Sequence, residues 1–61
     1  MPWRSHESLG NFYAAHGQYD IAMEQVQLAL QSPGIDASSK ARIEARGIQL
    51  RQLEQQREQF K

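Results

Sequence analysis

Apolar residues recur at steps of three and four from Leu9 through Phe12 and Tyr13 to His16, and again from Ala22 through Val26 to Ala29 and Leu30. That is the helical period, which lays each set along one stripe of a helix. The first helix is expected over about 5–16 and ends at Gly17, because glycine enters the left-handed region that lets the last carbonyls find donors. The second, over about 19–31, stops at Ser32-Pro33-Gly34, since proline has no N–H for the ladder and disfavours helix in the residue before it. A third helix over about 39–59 opens with Asp36, Ser38 or Ser39 as N-cap and meets no further proline. Its apolar residues are sparser and form two stripes: Ala41, Ala45, Ile48 and Gln52 in one, and Ile43, Gly47, Leu50, Leu53 and Phe60 in the other. Two narrow stripes suit a helix packed between two neighbours, or one that docks on its own protein near its start and on a partner later. The β-branched residues Ile21, Val26, Ile35, Ile43 and Ile48 are too scattered to alternate as strands do. The expected fold class is all-α.

Small residues stand where the first two helices should cross: Gly10 and Ala14 on one, Ala22 and Ala29 on the other, with Tyr13 and Tyr19 filling the space beside them. This specifies an antiparallel helical hairpin. Leu9-Gly10, Tyr13, Gly17, Tyr19, Ala22 and Ala29-Leu30 are spaced as in the tetratricopeptide repeat, a 34-residue helix-turn-helix unit, and the stretch resembles one such repeat. His6 stands where that family has its first tryptophan, Val26 where an aromatic is usual, and Pro33 comes one residue early; Trp3 is out of register. A shift of 34 puts Ile43-Glu44 at the Leu-Gly positions and Gly47 at the tyrosine, so the pattern occurs once.

The resemblance implies a single repeat over 5–34, preceded by a disordered or cloning-derived 1–4. It is followed over 35–61 by a linker and a longer C-terminal capping helix, of the polar kind that closes a solenoid. Glu24, Gln25, Leu28 to Leu30, Pro33, Gly34, Asp36, Ala41 to Ile43, Ala45 and Arg46 make a narrower likeness. Across them the chain is similar to the C-terminal tetratricopeptide-like tail of periplasmic zinc metalloproteases of the beta-barrel-assembly-enhancing type. That likeness implies a bacterial, periplasmic setting and a tail that serves protein contacts beside a catalytic domain.

Length qualifies this picture. A domain of 61 residues buries only about 60% of the surface its unfolded chain exposes, so its core is marginal. With no cysteine, neither disulfides nor a cysteine zinc site reinforces it. A single repeat of this size is expected to lean on a longer array, a preceding domain or a second copy of itself. No apolar run exceeds four residues, so no membrane insertion is expected, and "MPWRSHES" lacks the apolar stretch of a signal peptide.

The net charge is zero, which gives no reason to expect nucleic acid as a partner. Its distribution is uneven: residues 1–39 hold one base and four acids, residues 40–61 six bases and three acids. Nine glutamines, five of them between Gln49 and Gln59, make the third helix a soluble polar surface or a coiled-coil element.

Catalysis is not expected. "HESLG" at His6 to Gly10 begins like H-E-x-x-H, in which two histidines one turn apart hold zinc, but Gly10 replaces the second. His16 lies nearly three turns on, too far along a straight helix to share a metal. There is neither a serine-histidine-aspartate set nor a phosphate-binding glycine loop, and no cofactor is expected. The candidate function is a protein-binding module, with Trp3, Phe12, His16, Leu50, Leu53 and Phe60 as residues for the partner. From Leu50 onward the third helix is expected to outrun the hairpin, since about 21 residues span ~31 Å against ~18 Å for 12. The alternative is a homo-oligomerisation element that pairs through this helix.

Overall fold

The computed structural model describes residues 2–59 as three helices: α1 Trp3–Ala15, α2 Tyr19–Gln31 and α3 Ala37–Gln59. No strand occurs among the described residues. The helices run up, down and up, with α2 packed against both α1 and α3. The particle measures 40 × 18 × 14 Å; α3, with 23 residues, sets its long dimension.

The chain turns between α1 and α2 by local hydrogen bonding. The N–H of Gly17 donates to the Ala14 carbonyl at 3.1 Å and that of Gln18 to the Tyr13 carbonyl at 2.9 Å. Gly17 has φ 76°. These are the paired bonds and left-handed residue of a Schellman ending, which satisfies carbonyls the helix leaves open. At the end of α2 the Ser32 hydroxyl donates to the Leu28 carbonyl at 2.8 Å. Ser32 is extended, with ψ 135°, as the residue before a proline should be.

Two boundaries differ from the sequence expectation. Helix α1 begins at Trp3 rather than Ser5, so 1–4 is not wholly an unstructured lead: Pro2 precedes the helix at φ −66°, ψ 155°, and its carbonyl accepts the Ser5 N–H at 3.0 Å. Trp3 is drawn into the helix because its ring packs on the core. Helix α3 begins at Ala37 rather than Ser39. Asp36 is the N-cap: its Oδ2 accepts the Ser39 N–H at 3.0 Å and its carbonyl accepts the Lys40 N–H at 2.9 Å.

The core is small and centred on α2. Ala22, Val26 and Ala29 from α2 and Ile43 and Leu50 from α3 are buried, with Trp3, Tyr13, Ala14, Tyr19, Met23, Leu30 and Ile35 packed around them. Of the two stripes on α3, the one containing Ile43, Gly47 and Leu50 turns inward; Ala41, Ala45, Ile48 and Gln52 are exposed.

Candidate functional site

The residues of the hairpin pattern cluster at the α1–α2 crossing. Gly10 is buried in α1, and a β-carbon there would lie 3.5 Å from the Ala22 carbonyl oxygen and 3.7 Å from Gln25 Cβ. Ala22 and Ala29 are wholly buried, whereas Tyr13, Tyr19 and Leu30 pack at the edge of the core. Gly17 occupies the turn, and Leu9 is half-buried. His6 ties the two helices together as its Nδ1–H donates to Gln25 Oε1 at 2.8 Å.

The partner-facing candidates divide. Leu50 is a correction: it is 0% exposed and is the largest fully buried side chain in the described chain, so it belongs to the internal core rather than to a partner. The reason is that Leu50, about 20 Å along α3 from Ala37, still lies alongside the 13-residue α2. Arg57, seven residues beyond Leu50, still reaches the α1–α2 turn and donates from Nη1 to the Gly17 carbonyl. Trp3 is half-buried, packed beside the core. Leu53 is half-buried. Phe60 lies outside the described residues.

Phe12 and His16 do face solvent. Phe12 is 55% exposed. His16 Nδ1–H donates to the Phe12 carbonyl at 2.8 Å, and the two rings stack at a tilt with centroids 4.4 Å apart. The stripe of Leu9, Phe12 and His16 thus lies away from α2. Helix α1 packs instead through Trp3, Gly10, Tyr13 and Ala14. Periodicity showed that α1 has an apolar stripe; the small residues beside it decided which face meets α2.

Two grooves mark the remaining surface. One, about 150 Å³, runs between α1 and α3 over Val26, with Asn11 and Arg46 on its walls. It is bridged by an ion pair from Arg42 Nη1 to Glu7 Oε2 at 3.0 Å. Arg42 is exposed and Glu7 half-buried, so solvent screens the pair in part. The other, about 470 Å³, lies between α2 and α3, with Met23, Leu30 and Ile48 among its lining. Asp20, Glu24, Glu44 and Arg51 also line this larger groove. Among the described residues no three His, Cys, Asp or Glu side chains are grouped to hold a metal. No described helix is long and apolar enough to cross a membrane.

Compared with models of protein families, with curated proteins and with solved structures, the chain matches none. The all-α architecture, a short hairpin followed by a longer third helix, therefore stands on the chain's own geometry.

Proposed function

We propose that this chain is a non-catalytic protein–protein interaction module: a tetratricopeptide-like hairpin closed by a capping helix, which docks a protein partner or a preceding domain through the outer face of α1. The observation that carries this reading is the stripe of Leu9, Phe12 and His16. It has helical spacing, and although Leu9 is half-buried, Phe12, 55% exposed, and His16 face solvent. An isolated exposed apolar side chain is ordinary, but a stripe along one helix is what an added helix packs against. The likeness to the tail of periplasmic metalloproteases supplies a setting for such a contact, in which the preceding domain is the protease.

A photo-crosslinking amino acid in place of Phe12, introduced in the gene's own context, tests this. The expected product is a discrete crosslink to a second protein or to an upstream segment of the same polypeptide. The same probe at Gln18, which is exposed at the turn, should yield none. Equal yields at the two positions would overturn the proposal.

A further inference from the structure

The α2–α3 groove has an apolar floor and an arrangement of charge that the folded chain does not use. Met23 and Leu30 from α2 and Ile48 from α3 line it, and Ile48 is 62% exposed. Glu44 and Arg51 flank Ile48 on α3, one turn to either side, and line the same groove. Among the described residues neither has an ion-pair partner. They are separated by about 10 Å along the helix, and the midpoint between them falls beside Ile48.

A stripe of acid, isoleucine and base in that order is self-complementary when read in the opposite direction. If a second α3 lies antiparallel across the first with the two Ile48 side chains at the centre, each Glu44 meets the other copy's Arg51. Both pairs form at once, as a two-fold axis requires. The partner's Ile48 then enters the apolar floor beside Met23 and Leu30.

We infer that the α2–α3 groove docks a second copy of this chain, forming a two-fold homodimer centred on Ile48 with reciprocal Glu44–Arg51 pairs. This interface differs from a seam through Leu50, which is buried within the chain. It is independent of the α1 face, so either surface could fail without the other.

Charge exchange tests the inference on the 61-residue chain by sedimentation equilibrium, with circular dichroism to check that each variant stays helical. The native chain should pass from its 7.0 kDa monomer to a dimer as concentration rises through the micromolar range. Glu44→Arg alone and Arg51→Glu alone each set like charges opposite one another twice and should weaken the dimer about tenfold. An equimolar mixture of the two variants pairs every charge correctly and should restore a mixed dimer at near-native affinity. Ile48→Asp should leave a folded monomer. Phe12→Ser should dimerise normally. A native chain that stays monomeric to about 1 mM would overturn the inference, as would a mixture of the charge variants no tighter than either alone.

Discussion

At the residue scale, three glycines with the same side chain do different work. Gly10 lies against α2, but a β-carbon there meets its neighbours no closer than 3.5 Å, which is ordinary contact. Gly10→Ala should therefore be tolerated, and it gains up to about 1 kcal/mol from helix propensity. Gly10→Leu sets a larger side chain against the Ala22 carbonyl, Gln25 and Val26 and should cost about 1–3 kcal/mol by overpacking. At Gly47 the added carbon falls 3.1 Å from Val26 Cγ1. Val26 is buried and β-branched, so it yields poorly. Gly47→Ala should thus gain less than Gly10→Ala, and urea unfolding midpoints should rank Gly10→Ala first. At Gly17 the positive φ makes any side chain strained, whatever the space.

At the element scale, the start of α3 depends on a titratable cap. The Ser39 hydroxyl beside the Asp36 carboxylate and the Ser39 N–H that donates to it hold its pKa below the ordinary aspartate value. Because the folded-state pKa is depressed, the cap's contribution is fully present above the unfolded value of about 3.9. It is lost as pH falls through the lower folded value. Amide exchange at Ser39 and Lys40 should accelerate across that acid window relative to the middle of α3. Asp36→Asn keeps an acceptor at the N-cap and should remove the pH dependence while retaining protection. Unaltered acid behaviour in Asp36→Asn would show that another carboxylate controls the first turn. Toward the opposite end of α3, Arg57 donates to the Gly17 carbonyl in the α1–α2 turn.

At the scale of the whole molecule, the core consists of a few side chains shared between helices, and α2 is their common support. Truncating Leu50 opens a cavity at its centre, and a buried leucine replaced by alanine costs about 2–5 kcal/mol. Domains of this length rarely have more than about 3–5 kcal/mol in total. Leu50→Ala should therefore melt all three helices together, seen as a single loss of helical circular dichroism. Loss of α3 alone, with the 9–30 hairpin still folded, would show instead that α3 is an appendage.

Much of this architecture was legible in the chain before folding. The helix periods, the left-handed glycine at 17, the proline stop after Ser32 and the small residues at the α1–α2 crossing all act between near neighbours, so local sequence determines them. The all-α class and the short hairpin with its longer third helix follow from those signals. Only the tertiary structure decided which stripe faces inward. Periodicity shows that a helix has faces but not what covers them, and α3 offered two stripes of similar strength. Burial of Ile43 and Leu50 against α2 chose one and left Ile48 in solvent. Likewise Gly10 turned the close-packing face of α1 toward α2 and left Phe12 outside. Leu50 reads as a partner residue because chain length alone could not show how far α3 lies along the hairpin. The contact of Arg57 with Gly17 does, and it spans 40 residues of sequence that no local pattern connects.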